Sequence, residues 1–197
     1  MTGKLVVFEG IDRSGKETQS KLLTQYLRDH DNSVAYFSFP NYKSWSGRKI
    51  KEWLHNKDTL NQYSVNILYS LNRYEMKETL EQALRDYDYV ILDRYFYSNW
   101  IYGSFMEEMP KAWLQALDMN LPQPDMVFLL CISGELSVQR RGSTADIHES
   151  DMVFLEKCNL EYQKLGCNLG WTMVDGNDLA SIISWRICSI VNPRLLL

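Results

Sequence analysis

Long apolar runs are missing from this chain: no segment approaches the roughly 18 consecutive apolar residues that a membrane span requires, so no membrane partner is expected. An excess of basic charge is missing too. The 21 Lys and Arg residues are set against 25 Asp and Glu, a net charge of −4, which argues against a nucleic-acid polymer as partner because phosphate-backbone binders carry a basic face. Cysteine is scarce, and Cys131, Cys158, Cys167 and Cys188 include no pair at a metal-ligand or redox spacing. They read as reduced thiols of a cytosol-like compartment, and a cytoplasmic location is expected. The residues after Met1 run almost directly into Leu5–Phe8 without the basic, apolar and small-residue succession of a signal peptide. There is no internal repeat, no low-complexity tract and no linker rich in Pro, Gly or Ser.

What remains is ordinary globular material, 45% hydrophobic and 23% charged over 197 residues, enough for one domain spanning 1–197 with a full hydrophobic core. Short apolar runs of strand length occur at 5–8, 34–37, 89–92, 126–130 and 171–174. Helical patterns lie between them, among them 21–28, 65–84 and 154–165. The alternation predicts an α/β fold with a five-stranded parallel sheet covered by helices on both faces. Pro122-Gln123-Pro124-Asp125 marks a turn into the fourth strand, and the small polar segment Arg141–Asp146 reads as a loop between helices that is suited to serve as a lid.

The segment LVVFEGIDRSGKETQSKLL, residues 5–23, follows the first strand and opens the first helix. Gly10, four residues, Gly15 and Lys16 follow the phosphate-loop pattern, in which backbone N–H groups and a helix N-terminus converge on a phosphate and the lysine adds a full charge. A carboxylate at the end of another buried strand would complete a nucleotide site by ordering magnesium, and Val90-Ile91-Leu92-Asp93 supplies one, with Arg94 directly after it. Glu17 occupies the position of the usual Ser or Thr. It either ligates magnesium, directly or through water, or points away and leaves Thr18 or water to complete the metal shell. Glu in the first turn of a helix is favoured by the helix dipole in either case.

Taken together, FEGIDRSGKETQ, FPNYKSWSGRKI, NILYSLNRYE, ILDRYFYSN and LPQPDMVFL resemble the thymidylate kinases, P-loop nucleoside monophosphate kinases that move a phosphate from ATP to dTMP in dTTP biosynthesis. The resemblance covers nearly the whole chain and implies the P-loop kinase fold, magnesium as cofactor, the small nucleotides ATP and dTMP as partners, and a homodimer. For ATP it implies contacts from Gly10, Arg13, Ser14, Gly15, Lys16, Glu17, Thr18 and Arg141, with Asp175-Gly176-Asn177 beside the adenine. For dTMP it implies Asp12 at the sugar 3′-hydroxyl, Tyr102 crowding the 2′ position, and Phe39, Pro40 and Leu54 as an apolar wall. Tyr69 would stack on the base and Arg73 would bond a base carbonyl, the two lying on one helix face. Arg94, Ser98 and Asn99 complete that set. Lys16, Arg13, Arg94 and Asp93 are the implied catalytic group, and Glu17 and Asp93 the implied metal ligands. The lid at about 142–149 holds only His148 as a possible cation, which makes Arg13 the better candidate for the transition-state arginine; Glu149 matches a lid carboxylate. Tyr42 departs from the family, because many relatives carry an arginine there for the acceptor phosphate, and Lys43 and Arg48 are the candidates to compensate. The apolar segments around Trp53 and Tyr63–Tyr74 are expected to supply a dimer interface. Two other readings stay open: a different pyrimidine nucleoside monophosphate kinase, and a catalytically impaired nucleotide-binding protein.

Overall fold

The structure is a computed structural model and describes residues 3–55, 59–105, 109–140 and 151–191. In chain order its elements are β1 (Lys4–Glu9), α1 (Lys16–Asp29), β2 (Val34–Ser38), α2 (Trp45–Leu54), α3 (Gln62–Tyr74), α4 (Lys77–Asp86), β3 (Tyr89–Asp93), α5 (Phe96–Phe105), α6 (Lys111–Ala116), β4 (Met126–Cys131), α7 (Gly134–Gln139), α8 (Met152–Leu169), β5 (Thr172–Asp175) and α9 (Ala180–Val191).

The strands form one all-parallel sheet in the order β2-β3-β1-β4-β5. Apolar character on both faces is what permits this. Side chains alternate along a strand, so Leu5 and Val7 pack with Leu80, Leu84, Val90 and Phe96 on one side, while Val6 and Phe8 pack with Leu23, Leu27, Ile183 and Ile187 on the other. Both layers are helical, as the alternation of the sequence predicts. Because β1 lies between β3 and β4, the chain winds outward in both directions from it, and the crevice above its C-terminal end is where open α/β sheets bind ligands.

One expectation is corrected. The stretch 65–84 is not one helix but two, α3 and α4, joined through Glu75 and Met76. Neither proline nor glycine causes the break. Glu75 Oε2 accepts from Ser46 Oγ at 2.6 Å, which ties the end of α3 to α2, whereas Leu80, Ala83 and Leu84 turn α4 onto the sheet. Two different packing partners therefore divide one continuous helical pattern.

Candidate active site

The loop between β1 and α1 is held in a shape that few sequences adopt. Gly10 and Gly15 have φ of 140° and 99°, and Arg13 shares the left-handed region at 60°. A Cβ on Gly10 would stand 2.6 Å from the Leu130 carbonyl oxygen, so glycine is required there for space as well as for conformation. Gly15 caps α1 without a side-chain hydrogen bond, leaving the first N–H groups of the helix as donors for an anion.

Lys16 is buried, and its Nζ donates to the Ile11 carbonyl at 2.6 Å. Burial, followed by the nearby Arg94 charge, lowers its pKa to about 8, against the opposing pull of Asp12, Asp93 and Glu9. Asp93 ends β3 beside Phe8 of β1 and is also buried, and burial raises its carboxyl pKa against the pull of Lys16 and Arg94. Its Oδ1 has no hydrogen-bond partner. A buried carboxylate oxygen left unpaired next to a phosphate loop is suited to a cation.

Arg94 has a left-handed backbone, φ 65°, and turns back across the loop. It donates to Asp12 Oδ1 through Nη2, and through Nη1 to Ser98 Oγ at 3.1 Å and the Gly10 carbonyl at 3.4 Å. The Tyr102 hydroxyl donates to the second Asp12 oxygen at 2.9 Å. Below them lies Glu9, fully buried, accepting from the Tyr95 backbone N–H at 2.9 Å, from Ser98 Oγ at 2.8 Å and from the Tyr162 hydroxyl at 3.0 Å. Burial pushes the Glu9 carboxyl upward, opposed by Arg94 and these hydrogen bonds. Glu9 was legible only as a carboxylate ending an otherwise apolar strand.

Next to this polar layer is a cleft of about 110 Å³. Its walls include every residue expected to contact the acceptor: Asp12, Phe39, Pro40, Leu54, Tyr69, Arg73, Arg94, Ser98, Asn99 and Tyr102. The Phe39–Pro40 bond is cis. Asn72 fastens this wall to α3, its Oδ1 accepting from Asn41 N at 2.7 Å and its Nδ2 donating to Ser44 and Ser46, each at 2.9 Å. Tyr95 and Asn66, which lie in segments that carry the family resemblance but had no site role read for them, also line the cleft, as does Gln62, which lies outside those segments.

Several expectations come out differently. Glu17 takes the outward alternative: its carboxylate is exposed and accepts from Lys21 Nζ at 2.5 Å. Thr18 is exposed as well, while Ser14 is buried. Tyr42 lines the cleft, but Lys43 and Arg48 do not, and Arg48 Nη1 donates instead to the Lys43 carbonyl at 2.7 Å. Trp53 is buried in the cleft wall and so is unavailable to a dimer interface, whereas Tyr63, Ile67 and Leu71 on α3 are exposed. Arg13 is exposed, and its carbonyl accepts from Arg140, whose other Nη donates to the Gly176 carbonyl at 3.0 Å. That bridge ties the phosphate loop to the Asp175-Gly176-Asn177 turn. Arg141 and the lid at 142–149, with His148 and Glu149, lie outside the described residues.

A phosphate loop at the switch point of a parallel sheet, with a cleft beside it that Asp12 of the same loop lines, is the arrangement of a P-loop kinase acting on a small acceptor. The comparisons narrow the class. The family model described as "Thymidylate kinase" matches residues 8–186. The thymidylate kinase of Plasmodium falciparum (isolate 3D7) is 35% identical over 147 residues, 75% of this chain and 70% of that protein, and the thymidylate kinase of Arabidopsis thaliana is 31% identical over 189 residues, 96% of this chain and 71% of that protein. The solved structure of thymidylate kinase from Candida albicans superposes with a TM-score of 0.83 at 26% identity, covering 98% of this chain and 92% of that one. The chain belongs to the thymidylate kinase family.

Proposed function

We propose that this chain transfers the γ-phosphoryl group of ATP to the 5′-phosphate of dTMP, giving ADP and dTDP. The observation that carries the reading is the joined geometry of loop and cleft: Asp12, inside the phosphate loop, is bonded to Arg94 and Tyr102, both of which line the acceptor cleft. Donor and acceptor sites therefore share one wall.

The two reacting phosphates repel each other, so cations must lie between them before an in-line transfer proceeds. Lys16 and the first N–H groups of α1 hold the donor phosphates. Arg94, aimed over the loop by its left-handed backbone and by Asp12, presents its charge to the acceptor phosphate. Arg13 adds a second guanidinium at the exposed rim of the loop. Glu9 orients this arrangement without touching substrate, fixing the Tyr95 backbone directly after Arg94 and the Ser98 hydroxyl that accepts from the Arg94 guanidinium. Magnesium fits the residues present, because Asp93 offers a buried, unpaired oxygen beside Lys16. Asp93 would hold the ion or its water, and when bound the ion neutralises phosphate charge during transfer. In the cleft, Asp12 receives the sugar 3′-hydroxyl, the Tyr102 ring crowds the 2′ position, and Tyr69 stacks on the base while Arg73 bonds a base carbonyl.

The exposed Tyr63, Ile67 and Leu71, four residues apart on α3, form the stripe that a second copy would cover in a homodimer. Sedimentation of the wild-type chain against one with Ile67→Glu tests this.

The function is tested by ADP release from MgATP with dTMP, dUMP, thymidine, dCMP, dGMP and AMP offered separately, with product identity checked by chromatography. Conversion of dTMP to dTDP well above the other acceptors is expected. ATP binding without turnover of any acceptor would sink the reading.

A further inference from the structure

We infer that Asp118 is a positioning residue that sets base selectivity by holding Arg73 in one orientation. The inference rests on the dTMP reading above. Arg73 and Asp118 form a bidentate pair, Nε to Oδ1 at 3.0 Å and Nη2 to Oδ2 at 2.9 Å, with side chains only 3% and 0% exposed. The hydroxyl of Ser70, about one helical turn before Arg73, lies 2.8 Å from the same Oδ1 and 2.8 Å from the Leu117 carbonyl oxygen, and shares its one proton between them. The backbone around Asp118 is pinned too, its N–H donating to Gln115 O at 3.2 Å and its carbonyl accepting from Leu121 N at 3.1 Å. Asp118 does not line the cleft; Arg73 does.

The consequence is chemical. A guanidinium only donates hydrogen bonds, and two of its three nitrogens here are committed to one carboxylate. What remains for a ligand is Nη1, which donates to no acceptor among the described residues. Held in this way, it requires an acceptor atom on the base, as a keto oxygen provides. An amino group in the same place, as on cytosine, sets donor against donor in a buried site. The pairing also removes the freedom with which an unpaired guanidinium would turn to suit another base. Asp118 lies 45 residues from Arg73 in the chain, so nothing local in the sequence announces the pair.

The test is Asp118→Asn, which keeps the shape and removes the charge. kcat, KM and equilibrium Kd are measured for dTMP and dCMP on the variant and on the wild-type chain. The expected result is a rise of about tenfold in KM and Kd for dTMP with kcat held within about twofold, and a preference for dTMP over dCMP that falls by about tenfold. A purely structural Asp118 would instead lower the active fraction, reducing kcat with both acceptors by one factor and leaving the ratio unchanged. That pattern, or no change at all, overturns the inference, as does a wild-type chain with no preference for dTMP. If Asp118→Asn does not fold by circular dichroism, Ser70→Ala decides: a preference lowered about threefold with the melting transition intact supports the inference, and an unaltered ratio overturns it. Absence of dTMP turnover in the wild-type chain sinks the kinase reading alone, because the preference is still read from Kd.

Discussion

Asp12 is bonded on both carboxylate oxygens, by Arg94 on one and by the Tyr102 hydroxyl at 2.9 Å on the other. Loop and cleft cannot move independently while these bonds hold. The two bonds differ in kind, one charge-assisted and one from a neutral phenol, so their removal should have different effects. Arg94→Ala takes away a cation aimed at the reacting phosphates and should lower kcat by about 100- to 1,000-fold. Tyr102→Phe keeps the ring and loses one hydrogen bond, so kcat/KM for dTMP should fall by only about tenfold, mostly through KM. Steady-state kinetics of both variants with dTMP checks the contrast, and equal losses in kcat would refute it.

The metal site yields a second contrast. Asp93 offers a buried, unpaired oxygen, whereas Glu17 is exposed and engaged by Lys21. Asp93→Asn should raise the magnesium concentration needed for half-maximal rate by about tenfold, and Glu17→Gln should leave it within about twofold. Magnesium titrations at saturating ATP and dTMP make the comparison. A large effect from Glu17→Gln would mean that the carboxylate leaves Lys21 and turns to the metal in the working complex.

Much of this was legible because the informative residues are adjacent in sequence. The loop from Gly10 to Lys16 and the strand-terminal Asp93 with Arg94 declare themselves within a few positions, whereas Tyr69 and Arg73 stand out only through the resemblance of their whole segment to the family. The five strands declare themselves by apolar character on both faces. What was not legible depends on distant partners. Asp118 meets Arg73 across 45 residues and Glu9 meets Ser98 across 89, and the break between α3 and α4 is set by Ser46, 29 residues from Glu75. Nothing local in the letters at Glu75 and Met76 interrupts a helical pattern. The orientation of Glu17 is a different case, decided by a local i,i+4 partner, Lys21, that competes with the place of Glu17 in the phosphate-loop pattern.

Gly47 at the start of α2 sits under the segment that walls the cleft. A Cβ there would stand 1.9 Å from the Asn41 carbonyl oxygen and 2.8 Å from the Tyr42 Cα, both backbone atoms, so the segment itself would have to move. Gly47→Ala should therefore cost about 2–4 kcal/mol of stability and raise KM for dTMP more than KM for ATP, because the displaced wall belongs to the acceptor side. Chemical denaturation and the two KM values check this. A stable variant with both constants unchanged would show that the wall yields more easily than its packing implies.

The lowered pKa of Lys16 leads to a measurable proton balance. In the free protein burial and Arg94 bring it to about 8, well below the ordinary lysine value of 10.5. For stability the sign follows from linkage: the unfolded chain binds this proton more tightly, so the contribution of the group rises with pH between about 8 and 10.5 and is lost as pH falls through the folded value. At neutral pH the charged lysine is therefore held at a cost, which a phosphate repays. Polyphosphate anions placed beside Lys16 raise its pKa again, so binding of MgATP, whose terminal phosphate is already ionised above neutral pH, should take up roughly a fraction of a proton near pH 8.5 and close to none near pH 7. Calorimetry of ATP binding in two buffers of different ionisation enthalpy reads that number directly. The kinetic counterpart is a KM for ATP that rises above about pH 8 while kcat, which reports the nucleotide-bound protein, holds to higher pH. Lys16→Met should abolish the proton uptake and most of the rate while leaving the fold at least as stable at neutral pH, since an apolar side chain replaces a buried charge. Equal proton uptake by Lys16→Met and the wild-type chain would place the titrating group elsewhere in the loop.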